Sequence, residues 1–166
     1  MSEHELCTGM SSEWFTPPEI FRALRLTFDL DPCQPNEGRA FLSVPCRRFL
    51  TAAEDGLTQP WEGLVWMNPP FGGRNGQVPW LRKFMRHGNG IALVAARTSA
   101  SWFHDVAVEA ETMLFPRGKT KFVRPDGSRG GSPGTGIVLL GMGATANNAL
   151  WNSGLGLFVN NRRVVA

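Results

Sequence analysis

Long apolar runs are missing from this 166-residue sequence, and its N-terminus has no features of a secretory signal. No stretch approaches the ~20 apolar residues that a membrane-spanning helix needs, and Glu3 and Glu5 are atypical of a signal peptide. Cysteine occurs only at Cys7, Cys33 and Cys46, an odd number whose wide spacing fits no zinc-binding pattern. We therefore predict free thiols in a reducing cytoplasm, with no metal site and no membrane partner.

The charge of the chain is also modest. Charged residues make up 19% of the sequence and apolar residues 42%, which is ordinary for a globular protein. A net charge of +3 and a pI near 9.1 favour a polyanionic partner only weakly. Residues 1–12 are polar and without periodicity, and no repeat or linker divides the remainder. We predict a flexible N-terminus followed by one domain over residues 13–166.

The most informative stretch is Leu64-Val65-Trp66-Met67, which runs directly into Asn68-Pro69-Pro70-Phe71. Four apolar residues bounded by prolines predict a short buried strand that ends where the prolines fix φ and remove backbone donors. In an open α/β sheet, ligands bind at the carboxyl ends of the strands. Asn68 to Phe71 are therefore expected on the rim of a cleft.

This turn presents two hydrogen-bond acceptors in a fixed arrangement. The Asn68 side-chain oxygen and the Pro69 backbone carbonyl can both accept from one exocyclic amine, and Phe71 can stack on the ring that carries it. Two fixed acceptors favour a more tetrahedral, more nucleophilic nitrogen. The alternative interpretation is a strand-ending turn with Phe71 in the core.

The residues before this strand predict a helix and a second strand end. Thr16, Pro17 and Glu19 suit the N-cap, first and third positions of a helix with a capping box. Phe28–Asp31 predicts a short strand that ends at Pro32. One further strand and an acidic turn at 54–57 are expected before Asn68, which leaves room only for one or two trimmed βα units.

The second half alternates helices and strands and then becomes antiparallel. Helices are predicted at 79–87 and 101–110, a buried strand at 91–96, and antiparallel strands at 112–115, 119–124, 136–142 and 154–159. Arg97 follows the buried strand and should point at the cleft. Lys119, Lys121, Arg124 and Arg129 surround a glycine-rich loop and form a candidate phosphate-binding edge, although a solvated hairpin explains them equally well.

Several of these segments resemble the phage-type DNA N6-adenine methyltransferase family. The matching segments are Trp14-Phe15-Thr16-Pro17, Phe28-Asp29-Leu30-Asp31, Glu54-Asp55-Gly56-Leu57, Val65 to Phe71, Arg97-Thr98 with Trp102-Phe103-His104, and Gly118 with Lys121-Phe122. They occur in the family's order over residues 13–141. Phe71 stands where the family commonly has tyrosine, the turn after Asp31 lacks a glycine-rich continuation, and the loop after Phe71 is enlarged.

The resemblance implies a minimal Rossmann-like α/β fold, mostly parallel with an antiparallel C-terminal hairpin, that uses S-adenosyl-L-methionine (SAM). It implies methylation of adenine N6 in DNA and a role in shielding phage or prophage DNA from restriction. The implied catalytic residues are Asn68, Pro69, Pro70 and Phe71. Those implied near SAM are Trp14, Thr16, Pro17, Asp31, Pro32 and Asp55. A plain polar turn explains Asp31-Pro32 equally well, and a surface turn explains Glu54 nearly as well and Asp55 somewhat less well. The residues expected on DNA are Arg74, Arg97, Lys119, Lys121, Arg124 and Arg129.

Two other functions remain open at this stage. A protein-glutamine methyltransferase can use the same Asn-Pro-Pro turn on a side-chain amide, but a longer chain with a glycine-rich first SAM motif is then expected. A non-catalytic DNA-binding relative is the other, and the intact Asn68 to Phe71 sequence argues against it. Monomer and weak dimer are both compatible with the sequence.

Overall fold

The computed structural model describes residues 15–35, 44–70, 76–131 and 134–161. The helices are α1 Pro18–Leu24, α2 Val78–His87, α3 Ser101–Asp105 and α4 Ala144–Asn152, with a short 3₁₀ helix at Ala107–Glu109. The strands are β1 Phe28–Asp31, β2 Cys46–Phe49, β3 Val65–Met67, β4 Gly90–Ala95, β5 Thr112–Pro116, β6 Ile137–Met142 and β7 Gly156–Asn160. None of the helices within these ranges has the length and apolarity needed to cross a membrane.

All seven strands form one sheet in the order β2-β1-β3-β4-β6-β5-β7. The first four are parallel to their neighbours, whereas β6 is antiparallel to both β4 and β5, and β7 is antiparallel to β5. The predicted α/β class, mostly parallel in the first half and antiparallel in the second, is confirmed. From β1 the chain moves outward to β2 and then returns to β3 on the other side of β1, so the strand order reverses between β1 and β3.

Helices cover both faces of the sheet because its central strands are apolar on both sides. Val65 and Met67 face the core that includes residues of α2 and α3, while Trp66, the residue between them, faces the core beneath α1 and α4. All three side chains are fully buried. In β4, residues Gly90 to Val94 are buried as well. A continuous apolar run is the pattern expected of a parallel strand covered on both faces.

The connections in the first half are short, as predicted. Between β1 and β2, and between β2 and β3, the described residues form turns without a helix, and α2 is the helix that links β3 to β4. Because β1, β2 and β3 are neighbours in the sheet, the turns that follow them lie at the same edge.

Three expectations about secondary structure were wrong, and one helix was not predicted. Helix α1 begins at Pro18 with Pro17 as its N-cap and no side-chain cap, because the Thr16 and Glu19 side chains bind partners elsewhere. Residues 119–124 form only isolated bridges at Val123 instead of a strand. Helix α4 was not predicted, since its sequence lacks a clear apolar period, and the helix predicted at 101–110 is interrupted at Val106.

Candidate active site

The reversal of strand order places the ends of β1 and β3 side by side. Leu30 of β1 is in register with Val65 of β3, so Asp31 and Asn68 follow at the same edge of the sheet. This is the topological switch point, where open α/β sheets bind their ligands. The Asn68 backbone is also within hydrogen-bonding reach of the Cys33 sulfur, which joins the two turns directly.

The Asn68 side chain is held by the residue that precedes the first helix. Its Nδ2 donates to Thr16 Oγ1 at 3.2 Å, across 52 positions of the sequence. Within the described part of the chain, no group donates to Asn68 Oδ1. Asn68 itself is half-buried, Pro69 is buried and Pro70 is exposed. The amide oxygen is thus available to a ligand while the amide nitrogen is occupied.

Asp31 is a buried carboxyl without a cationic partner. Its side chain is 3% exposed and Oδ1 accepts from the Cys33 backbone N–H at 3.0 Å. Among the described residues no Lys, Arg or His forms an ion pair with it. Burial raises the pKa of Asp31 to about 7, only partly opposed by the Cys33 hydrogen bond. Burial and the Asp31 carboxyl also raise the pKa of the Cys33 thiol, so this cysteine is not a thiolate nucleophile at neutral pH.

Near the strand ends, two buried side-chain amides each have one atom with no hydrogen-bond partner among the described residues. Gln34 is 3% exposed and lies in the turn after Asp31, and Gln77 is 8% exposed at the start of α2. The atoms without a partner are Nε2 of Gln34 and Oε1 of Gln77. A buried carboxyl without a cation and a buried donor in the same turn fit a ligand that carries both an ammonium and an acceptor group, as the methionine part of SAM does.

The turn that contains Asp55 packs against the end of β1. Gly56 approaches Pro32 so closely that a Cβ added there would lie 2.3 Å from the Pro32 carbonyl oxygen. Asp55 is exposed, with φ of 51°, and its Oδ1 accepts from the Leu57 backbone N–H at 3.2 Å. Its carboxylate therefore sits at the rim of the same edge of the sheet.

Helix α2 fixes this turn. Lys83 Nζ donates to the backbone carbonyls of Gly56, Leu57 and Gln59, and it lies 5.0 Å from the centre of the Trp61 ring. The Trp61 indole N–H donates to the Gly56 carbonyl at 2.8 Å. These contacts hold the Asp55 turn against Pro32.

The basic residues are distributed unevenly around the site. Arg129 forms a two-bond ion pair with Glu19, at 2.8 and 3.0 Å, which raises the Arg129 pKa and lowers that of Glu19. Arg124 donates to the Arg129 carbonyl at 3.4 Å. Lys119 and Lys121 have exposed side chains, and Arg97 is exposed after β4.

The structure brings together Thr16, Asp31, Pro32 and Asn68, with the Asp55 turn against them. Trp14, Phe71 and Arg74 lie outside the described residues. Sequence reasoning missed the buried Gln34 and the Lys83 anchor. The position of Gln34, three residues after a strand-ending aspartate, was the available signal for the first, whereas Lys83 on an amphipathic helix looks like any solvated cation.

Comparison with known families gives one result that covers most of the chain. The family model described as DNA N-6-adenine-methyltransferase (Dam) matches residues 5–140. Comparison with curated proteins and with solved structures returned no match. The matched range includes the described turns after β1 and β3, the Asp55 turn and the basic residues up to Arg129. The chain belongs to the DNA N-6-adenine-methyltransferase (Dam) family.

Proposed function

We propose that this protein transfers a methyl group from SAM to the exocyclic N6 of adenine in DNA. The observation that carries the proposal is the pairing of two features at the switch point. Asn68 presents an open amide oxygen on a proline-braced turn, and the neighbouring turn buries a carboxyl, Asp31, that pairs with no cation among the described residues. Family membership implies the DNA adenine methyltransferase activity in general terms.

The turns after β1 and β2 would hold the cofactor. Asp31 would face the ammonium of its methionine part, with Pro32 beside it, and the Gln34 amide would donate to the carboxylate. Asp55 would accept from the ribose or the adenine amine, and Trp14, Thr16 and Pro17 would border the site. When bound, SAM supplies an electrophilic methyl group on a sulfonium.

The turn after β3 would prepare the amine. Asn68 Oδ1 and the Pro69 carbonyl would each accept one N6 hydrogen, which localises the nitrogen lone pair and favours attack. Pro70 keeps the two acceptors in place before the base arrives, and such preorganisation is the principal electrostatic contribution of many active sites. Phe71, the next residue, would stack on the adenine ring.

The base must leave the duplex to reach this turn. Flipping costs a few kcal/mol and exposes the Watson–Crick edge, including N6, to the protein. Arg74, Arg97, Lys119 and Lys121 would contact the phosphates, with Arg124 and Arg129 supporting the same edge. Sequence recognition would fall to residues around 72–78 and 125–135, and we expect loose specificity, in keeping with a phage or prophage enzyme that protects DNA from restriction.

Isotope transfer tests the proposal directly. Purified protein is incubated with tritiated-methyl SAM and adenine-containing DNA, and the digested nucleosides are identified by mass spectrometry. N6-methyladenine is expected with the parent, and Asn68→Ala should lower its formation by about 100-fold or more, as for the loss of one preorganised polar partner.

Two further variants complete the test. Asn68→Asp should retain part of the activity because a carboxylate also accepts hydrogen bonds. Asn148→Ala removes an exposed asparagine side chain from α4 and should match the parent. Two outcomes would overturn the assignment. One is tritium in glutamine side chains of a protein instead of in DNA. The other is the absence of tritium in DNA although calorimetry shows that SAM binds.

A further inference from the structure

The last strand of the sheet carries an exposed apolar surface. In the described part of the chain four large apolar side chains are exposed, and all of them lie in or beside β7: Val108, Trp151, Leu157 and Val159. Trp151 and Leu157 are 67% and 66% exposed. The Trp151 ring lies 5.2 Å from the ring of Phe158, and the Val108 carbonyl accepts from the side chain of Asn161, the residue after β7. An apolar cluster of this kind marks a surface for another protein.

Strand β7 is also an open edge of the sheet. It is the last strand in the sheet order, and among the described residues it pairs with β5 alone. Such an edge is a template for a further strand, and proteins commonly protect it with charged side chains. From Gly130 to Asn161 the sequence contains no charged residue and no histidine. The family match ends at residue 140, so α4 and β7 lie outside it. The edge therefore lacks the usual protection.

The register with β5 assigns the side chains of β7 to the two faces of the sheet. Val159 is opposite Met113, which belongs to the core under α2 and α3. Phe158 is opposite Leu114, which belongs to the core under α1 and α4. Paired residues share a face and side chains alternate along a strand, so Leu157 shares the face of Val159. Each face of β7 thus has its own apolar group.

We propose that β7 pairs with β7 of a second copy of this chain, antiparallel about a twofold axis, so that a homodimer forms with one continuous sheet. Centred on Phe158, this pairing overlaps all five residues of the strand. On one face it places Leu157 of each copy opposite Val159 of the other. On the other face it brings Phe158 and Trp151 of both copies together. Cross-strand pairs of apolar and aromatic residues stabilise a sheet, and an interface of this symmetry is complementary to itself.

The charges around β7 favour this partner and this orientation. Two chains of net charge +3 repel each other, and they approach at the lowest cost through a surface without charge. At the Gly156 end of β7 lies the exposed Arg117, directly after β5. At the Asn160 end lies the exposed Glu109, shortly before β5. Antiparallel pairing sets these two ends side by side, so charges of opposite sign meet, whereas DNA would require cations that this surface does not provide.

The size of the surface predicts a dimer that dissociates on dilution. A five-residue strand is only ~17 Å long, so an interface built on β7 and Trp151 lies at the small end of specific interfaces. Complexes of this size are typically transient. We therefore expect a dissociation constant in the micromolar range, with monomer and dimer in equilibrium.

Sedimentation velocity of the full-length protein measures this equilibrium, with concentrations from about 1 to about 300 µM. The parent should change from monomer to dimer as its concentration rises. Leu157→Glu and Val159→Lys each place a charge opposite an apolar side chain of the other copy and should weaken dimerisation by at least about tenfold. Ala53→Glu introduces a charge at an exposed position after β2, at the other end of the sheet, and should dimerise like the parent.

Mixing the two single variants tests the antiparallel register. In a mixed dimer of Leu157→Glu and Val159→Lys, the introduced carboxylate is opposite the introduced ammonium, and the second Leu157–Val159 pair is native. The mixture should therefore dimerise about tenfold more tightly than either variant alone. Both side chains are exposed, so the urea midpoint of each variant should stay close to that of the parent, which separates loss of pairing from loss of folding.

Three results would overturn the proposal. A parent that stays monomeric over the whole range would assign the surface to a different partner. Dimerisation that Leu157→Glu does not weaken would place the interface elsewhere. A mixture that dimerises no more tightly than the single variants would exclude the antiparallel register. None of these measurements involves methyl transfer, so they are independent of the function proposed above.

Discussion

Replacement of Asp31 by asparagine should make the cofactor-free protein more stable, increasingly so as the pH rises. The pKa of Asp31 is raised from 3.8 to about 7 by burial. At a pH between these two pKa values, the Asp31 carboxyl keeps its proton in the folded chain and has released it in the unfolded chain. The free energy of unfolding of the parent therefore falls as the pH rises through this window, and Asp31→Asn removes that loss.

The magnitude follows from the difference of about three pH units. At ~1.36 kcal/mol per unit it amounts to at most ~4 kcal/mol, of which ~2.5 kcal/mol falls between pH 5 and pH 8. This is a large part of the 5–15 kcal/mol that typically separates folded from unfolded domains. Asparagine can still accept the Cys33 backbone hydrogen bond, so the substitution removes the charge with little change in contacts.

Urea unfolding monitored by tryptophan fluorescence at pH 5, 6, 7 and 8 measures the effect. The advantage of Asp31→Asn over the parent should grow with pH and level off above pH 7. Asp105→Asn makes the same chemical change on an exposed side chain at the end of α3 and should stay within ~0.5 kcal/mol of the parent. An advantage that is constant from pH 5 to pH 8 would show that Asp31 is not an uncompensated buried carboxyl.

In the parent, SAM affinity should rise over the same pH range, and Asp31→Asn should bind SAM at least about tenfold more weakly.

Other substitutions test the remaining parts of the site. Asn68→Glu, with the longer side chain, should abolish the Thr16 contact and lower methyl transfer by about 100-fold in the tritium assay, and a parent-like rate would contradict the geometry. Lys119→Gln and Lys121→Gln should each flatten the dependence of log K for DNA on log salt by about 0.9, whereas an unchanged slope would place the phosphates elsewhere. Arg129→Gln should change that slope less than either lysine, since its guanidinium is paired with Glu19, and an equal change would show that DNA displaces this pair. Gly56→Ala should lower the urea midpoint, because its Cβ would lie 2.3 Å from a backbone oxygen, and an unchanged midpoint would show that the turn can move away.

The parts of the fold that follow from continuous local patterns could be predicted from the sequence. β3 and β4 are uninterrupted apolar runs, and each was placed to within one or two residues. A polar residue that directly follows a central strand must lie where the carboxyl ends of the parallel strands meet. The position of Asn68 therefore followed from the same pattern. Helix α2 was recognised because its apolar residues recur at helical spacing.

The parts that depend on distant partners could not be predicted. Thr16 and Glu19 have the spacing of a capping box, but their side chains bind Asn68 and Arg129, and neither partner is visible in the local sequence. Helix α4 has no charged residue and a weak apolar pattern between two glycines, so it gave no periodic signal. That no cation in the described part of the chain pairs with Asp31 is a property of the packed fold alone.

The contact between Phe15 and Val123 has a consequence for how the protein folds. Thr16 reaches Asn68 from a segment whose backbone partner lies more than 100 positions later in the chain, and the Glu19–Arg129 pair spans 110 positions. A ribosome must therefore release residues beyond 123 before Phe15 can pair with Val123, even though β1, β3 and Asn68 emerge much earlier. Closing so long a loop is slow and comes late in folding. A nascent chain would hold the ends of β1 and β3 before the segment that carries Thr16 is anchored, so the activity proposed for Asn68 should appear late in folding.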